Sequence, residues 1–330
     1  MNVMEKLENY FNSGSTDKQN KRRLGGLLIA ITAILLVVAI ITVSVGGAIM
    51  AIVGIVDGFK NPGNDDDGGN VGNSHLVETT PEDITIKANA TKFTLTNGEV
   101  ALTEADYKTF SPVNRPEKDE NDANTKDYLY RAHSPESFAL QNEAFEAFNA
   151  MVRDFYAKTG LDTLWIRMAY NKDGGNVSYF TNGLAVKLEY TTDYAESAGS
   201  IYGVDDYKWI YEHAHEYGFV SVSNLEGEEN ILRYVGLAHA KYIESKQGKN
   251  DEDFYGLDDY LAEITSTTPD NTMKVSSVKK AIGDKSTTTY YTYFMSATAT
   301  PLRLPNSNKY NATVLFVGDG YIVTYCKADK

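Results

Sequence analysis

The sequence predicts an α+β fold carried outside a membrane by a single N-terminal helix, and three observations carry that expectation. Residues Leu24 to Val56 form an uncharged, predominantly apolar run, longer than the ~20 residues that cross a bilayer. Leu140, Ala144, Phe148, Met151, Val152 and Phe155 recur at three- and four-residue steps, the stripe of an amphipathic helix. From Met273 the chain turns β-rich, with Tyr290 to Met295 and Tyr310 to Tyr325 as strand candidates separated by turns at Pro305-Asn306 and Gly318-Asp319-Gly320.

The apolar run exceeds the roughly 7–15 residue core of a cleavable signal peptide, so it reads as a signal anchor. Lys18, Lys21, Arg22 and Arg23 precede it, while Asp57, Asp65, Asp66 and Asp67 come after it against Lys60 alone. Positive charge stays on the cytoplasmic side. Residues 1–23 are therefore expected as a cytoplasmic basic tail, 24–56 as a transmembrane helix, and 57–83, rich in Gly, Asn and Asp, as a flexible linker. The chain beyond Val56 is expected to be extracellular.

Ile84 to Phe110 alternates in places and contains the turn pair Asn97-Gly98, which predicts short strands. Pro112 to Asp127 is charged and reads as an exposed loop. Ser134 as N-cap and Pro135 at the first helical position would open the helix that Gly160 ends. Leu164 to Tyr170 and Gly183 to Tyr190 are predicted strands. Val204 to Tyr217 is a second amphipathic helix capped by Gly218. Phe219 to Val222 and Ile231 to Val235 make a strand pair, and His239 to Ser245 and Leu257 to Thr265 are short helices. This order divides the ectodomain into a body at 84–268 and a β extension at 269–330.

Composition excludes some functions. A net charge of −14 lacks the basic footprint that nucleic acid demands. One cysteine, Cys326, rules out an intrachain disulfide and reads as a small core residue. Of five histidines, His213 and His215 tempt as a metal pair, but residues two apart on a helix diverge by about 200°. They are expected to be solvated helix residues, and His239 a structural hydrogen-bonding group. Asp65-Asp66-Asp67 lacks the spacing of a calcium loop.

Two segments carry a resemblance. Ser178-Tyr179-Phe180-Thr181-Asn182-Gly183-Leu184-Ala185-Val186-Lys187 resembles the S-x-H-x-x-G-x-A-x-D segment of VanY-type D-alanyl-D-alanine carboxypeptidases. Glu228-Glu229-Asn230-Ile231-Leu232-Arg233-Tyr234-Val235-Gly236 resembles their E-x-x-H-x-R-Y-V-G segment. Ala147 to Tyr170, Tyr207 to Phe219 and Gly236 to Ile243 resemble the helices and strand around these motifs, so the likeness runs from about Val100 to Ile264. The C-terminal strands resemble a β extension seen in some family members. The resemblance implies a carboxypeptidase-like core, an antiparallel sheet with flanking helices.

It also implies a site from which the metal chemistry has gone. The positions of the three zinc ligands hold Phe180, Lys187 and Ile231; the first and last offer no lone pair, and Lys187 is ordinarily a cation. The base position keeps Glu228. The carboxylate-binding Arg of the family's Y-R-S signature falls at Asn171, after Tyr170, with Lys172 in place of its Ser. Together with Ser178 and Arg233, these residues outline a degenerate cleft. Lys187 is expected either to pair with Glu228 or to reach out to water.

Three functions compete. The first is a membrane-anchored pseudopeptidase that binds a cell-wall peptide or an envelope protein without cleaving it, and holds no metal and no cofactor. The second is an active cell-wall carboxypeptidase with a nonstandard zinc site. The third is a structural subunit of an envelope complex whose old cleft is filled. The apolar ligand positions favour the first and third.

Overall fold

A computed structural model of the chain describes residues 75–84, 92–110, 129–193, 196–248 and 254–328. The basic tail, the apolar run 24–56, most of the linker and the loop from Pro112 to Asp127 lie outside the described residues. Among the described residues no helix is long and apolar enough to cross a membrane.

In chain order, β1 (Leu76–Thr79), β2 (Tyr107–Thr109), β3 (Tyr130–Ala132) and β4 (Phe138–Gln141) precede α1 (Asn142–Thr159). Then come β5 (Leu164–Met168), β6 (Tyr170–Asn171), β7 (Ala185–Tyr190), β8 (Gly199–Ser200), α2 (Lys208–His213), β9 (Phe219–Ser221) and β10 (Ile231–Tyr234). The remainder is α3 (Leu237–Lys246), α4 (Leu257–Ile264), β11 (Met273–Lys279), β12 (Thr287–Ser296), β13 (Leu302–Pro305), β14 (Tyr310–Phe316) and β15 (Gly320–Lys327).

The central sheet runs β3-β5-β7-β10-β9, with β8 added to β7. All its pairings are antiparallel except β3 with β5. One face carries Leu164, Ile166, Val186, Leu188, Phe219, Leu232 and Tyr234 into a core built on Phe148, Met151, Val152 and Phe155 of α1. Each such side chain contributes roughly 1.5–3 kcal/mol by leaving water. Because strand side chains alternate, Ala185, Lys187, Ile231 and Arg233 belong to the opposite face.

The helix stripe is real, but its start differs from expectation. Ser134 does not cap α1; its carbonyl accepts the N–H groups of Ser137 and Phe138 in a turn. Phe138–Gln141, including Leu140, is a wholly buried strand between β2 and β6, so tertiary pairing overrides the local helix signal. Gly160 ends α1 as predicted, with φ 72 and its N–H bonded to the Tyr156 carbonyl. The second predicted helix is broken into the 3-10 turn Asp205–Tyr207, α2 and the 3-10 turn Ala214–Tyr217. It stops at Gly218, φ 82, where a Cβ would fall 2.7 Å from the Tyr234 ring.

Two expected boundaries move. The linker 57–83 is not flexible to its end: β1 pairs with β13, and His75 Nε2 lies 2.9 Å from the Tyr325 hydroxyl. Residues 81–84 form a helical turn, with Ile84 buried against Tyr293 and Val323 instead of lying in a strand. Nor does the division at 268/269 separate two cores. The sheet β11-β12-β15-β14 sends Met273, Leu315 and Ile322 into a cluster with Leu95, Val220, Val235, Ile243 and Tyr260, so the β extension is part of the body.

Candidate functional site

Across the outer face of the central sheet, one register row places Met168 opposite Lys187 and Lys187 opposite Ile231; the next places Ala185 opposite Arg233. The 3-10 turn Ser178–Phe180 precedes β7. Its first residue, Ser178, has φ 49, a conformation uncommon outside glycine. The turn lays Phe180 onto Ala185 and Ile231, with Met168, Tyr179 and Val222 packed around them. Phe180 and Ile231 are each 4% exposed. The three positions that the resemblance assigns to metal ligands thus lie side by side, and two of them, Phe180 and Ile231, build an apolar cluster with Ala185.

These residues do not fit zinc. Two of the three present only carbon, and the third spends its ammonium elsewhere: Lys187 Nζ donates to the Gly227 carbonyl at 2.7 Å. Of the two outcomes expected for Lys187, the pair with Glu228 is not made. A carbonyl on the Leu225–Asn230 turn satisfies the ammonium without desolvating two opposite charges. Glu228 Oε2 instead accepts the Tyr179 hydroxyl at 3.2 Å. Burial, with this carboxylate beside it, raises the Tyr179 pKa. Tyr179 joins the site as a residue the motif comparison had no reason to mark, since it falls between Ser178 and Phe180 at an unspecified position.

Arg233 is not a cleft-binding residue. It is fully buried, and its guanidinium donates to Asn97 Oδ1 at 2.7 Å, the Thr96 carbonyl at 2.7 Å and the Thr94 carbonyl at 3.2 Å. Asn182 Nδ2 adds bonds to the Thr96 and Gly98 carbonyls, and Thr181 Oγ1 to that of Asn97. Together they clamp the Asn97-Gly98 turn onto the sheet. Burial brings the Arg233 pKa down to about 10.

Tyr170 and Asn171 stand apart on β6, which pairs with β4 outside the central sheet. The Tyr170 ring lies 5.7 Å from that of Tyr107. Asn171 shapes a turn: Asn176 bonds its backbone N–H and carbonyl, and its Oδ1 accepts the Asp173 N–H. That turn offers no cationic clamp for a carboxylate at Asn171.

The histidines do not converge either. His239 is buried, with Nδ1 2.5 Å from the Tyr260 hydroxyl, and burial lowers its pKa to about 4. His213 stacks on Trp209 at 4.5 Å. His215 is not a solvated residue: its side chain is 14% exposed, and burial lowers its pKa, because the 3-10 turn packs against α3. Among the described residues no group of three or more His, Cys, Asp or Glu side chains is placed to hold a metal ion.

No family model matches the chain, and no curated protein compared with it matches. Several solved structures resemble it, among them two peptidases. The vancomycin-resistance D,D-dipeptidase VanXYg, solved with a D-Ala-D-Ala phosphinate analogue, is 16% identical over 58% of this chain and 83% of its own, with a TM-score of 0.43. The LdcB LD-carboxypeptidase is 18% identical over 50% of this chain and 79% of its own, with a TM-score of 0.33. These are proteins to which the chain is similar, and both are peptidases by name.

Proposed function

We propose that this protein is a membrane-anchored, extracytoplasmic pseudopeptidase, a carboxypeptidase-like body that binds a cell-wall peptide or an envelope partner without hydrolysing it. The observation that carries this reading is the Phe180–Ala185–Ile231 cluster. A catalytic zinc needs three donor ligands and an open position for a water it activates. Buried carbon at two of those positions supplies neither a ligand nor room. Glu228, hydrogen-bonded to Tyr179, then has no activated water to deprotonate. The anchor rests on the uncharged run Leu24 to Val56 and its flanking charges.

The test uses the full-length chain purified in detergent. Metal analysis is expected to find no stoichiometric zinc, and a pentapeptide ending in D-Ala-D-Ala is expected to survive incubation. Stoichiometric zinc, or release of D-alanine, overturns the reading. Protease added to intact cells is expected to digest the body and spare an N-terminal tag. A protected body overturns the topology.

A further inference from the structure

The Asn97-Gly98 pair is clamped onto the sheet by Arg233, Thr181 and Asn182, yet its own reactive atoms are left open. Both residues are exposed. Asn97 Oδ1 accepts Arg233 Nη1 at 2.7 Å. Among the described residues, neither Asn97 Nδ2 nor the Gly98 N–H donates a hydrogen bond. A Cβ at Gly98 would meet only Thr96 Oγ1, at 3.7 Å, so water has access to this peptide. Asparagine followed by glycine is also the pair in which a backbone nitrogen most readily attacks the preceding side-chain amide, because no Cβ stands in the way.

The chain's other exposed-in-sequence counterpart, Asn182-Gly183, is the opposite case. Asn182 is fully buried, and its Nδ2 is held by the Thr96 and Gly98 carbonyls. A Cβ at Gly183 would fall 3.0 Å from Leu102 Cδ1 and 3.3 Å from Gln141 Cγ, so that pair is packed on every side that matters for attack. Arg233 adds a second distinction. It is a fully buried cation whose three partners are neutral oxygens, and Asp258 favours its charge only from a distance. Its Nε is buried with no hydrogen-bond partner. A cation so placed gains more from a carboxylate, which brings two charged oxygens, than from an amide.

We propose that Asn97 is a self-modification site, at which the folded chain converts its own asparagine to aspartate and so gives Arg233 an anionic partner. The Gly98 nitrogen gives its proton to water and attacks Asn97 Cγ; the Cγ–Nδ2 bond breaks, ammonia leaves, and a cyclic imide closes. Water then adds at Cγ, the bond from Cγ to the Gly98 nitrogen breaks, and that nitrogen recovers its proton. The net change is amide and water to carboxylate and ammonium. The guanidinium sits on the Cγ oxygen, where negative charge builds in both additions. It therefore directs water to Cγ, giving aspartate; entry at the α carbonyl would give isoaspartate. The conversion is independent of whether the chain hydrolyses a peptide.

The test holds the full-length protein in detergent at mildly alkaline pH, either folded or unfolded in urea, and then cuts it with trypsin. Residues 93–108, released at Lys92 and Lys108, contain Asn97 as their one asparagine, and residues 173–187 contain Asn182. In the folded chain the first fragment is expected to show the mass of an amide turned to an acid, with aspartate the main product against synthetic aspartyl and isoaspartyl standards. Asn182 is expected to stay intact there, while the unfolded chain converts at both pairs. Gly98→Ala is expected to lose most of the conversion, and Asn97→Asp, made directly, to melt at a higher temperature than the parent. An intact Asn97 in the folded chain after the unfolded chain has converted, equal conversion of both pairs in the folded chain, or isoaspartate as the main product each overturns the proposal. So does undiminished conversion in Gly98→Ala, or an Asn97→Asp variant that melts no higher than the parent.

Discussion

Replacing Arg233 with methionine tests whether this residue serves a cleft or holds the fold. The guanidinium satisfies three acceptors: the Thr94 and Thr96 carbonyls and Asn97 Oδ1. In Arg233→Met the Thr96 carbonyl keeps its bond from Asn182 Nδ2 at 3.0 Å and Asn97, an exposed residue, turns its Oδ1 to water, so one buried acceptor, the Thr94 carbonyl, loses its partner. Each buried, unsatisfied acceptor costs ~1–3 kcal/mol. Against this, removing a buried cation relieves a desolvation penalty, visible in its depressed pKa of about 10. The net loss is expected near 2 kcal/mol, a fall in Tm of roughly 4–8 °C for a body of this size. Arg233→Lys keeps the charge but cannot fork to three acceptors, and is expected to lose about half as much. Thermal unfolding gives the magnitude, and hydrogen exchange of residues 94–98 locates it. A methionine variant within ~1 kcal/mol of the parent, with unchanged exchange in that turn, refutes the clamp.

Three further outcomes are expected. Ile231→Ala opens a void against Phe180 and Ala185 and is expected to cost about 2–4 kcal/mol in urea unfolding; a loss under ~1 kcal/mol would mean the cluster is not packed. Lys187→Ala removes only an exposed bond to the Gly227 carbonyl, so its midpoint is expected within ~1 kcal/mol of the parent. Lys187→Asp is expected to confer neither zinc binding nor hydrolysis, since Phe180 and Ile231 still supply no ligand; metal uptake by that variant alone would contradict this. His239 sets a pH dependence. Its folded pKa of about 4 lies below its ordinary 6.5, so the unfolded chain binds the extra proton between those values. Its contribution is complete above pH 6.5 and falls by roughly 3 kcal/mol as pH drops through 4, with His215, also depressed, adding in the same direction. Acid unfolding curves of the parent and His239→Gln are expected to differ across that window, and parallel curves would refute the assignment.

Periodicity made much of this fold readable. The α1 stripe, the stop at Gly160 and the β9–β10 pair all arise from local patterning. Failures came where a distant partner decides. Phe138–Gln141 looks like the approach to a helix, yet β2 and β6 claim it from either side. Leu76–Thr79 sits in linker-like composition but finds β13 more than two hundred residues away. In the site, residue types showed that Phe180 and Ile231 supply no ligand. They could not show that the two would pack together, or that Lys187 would choose a carbonyl over Glu228. Arg233 illustrates the limit best. Its motif position suggested a cleft, while its partners on the 94–97 turn lie some 136 to 139 residues earlier.

The energetics of the Phe180–Ile231 row also explain why this sheet face needs no ion to be stable. Histidine and aspartate at those positions would be buried polar groups needing the ion as their common partner, and without it each costs desolvation free energy. Phenylalanine and isoleucine invert the sign, since each contributes roughly 1.5–3 kcal/mol by burial. The lysine between them remains tolerable because it reaches the Gly227 carbonyl at an exposed position. The sheet face therefore carries a small core of its own, whose stability needs no ligand. Introducing donors one at a time would lose burial at each step before three of them could share a metal, so single substitutions to histidine should lower stability without conferring zinc binding.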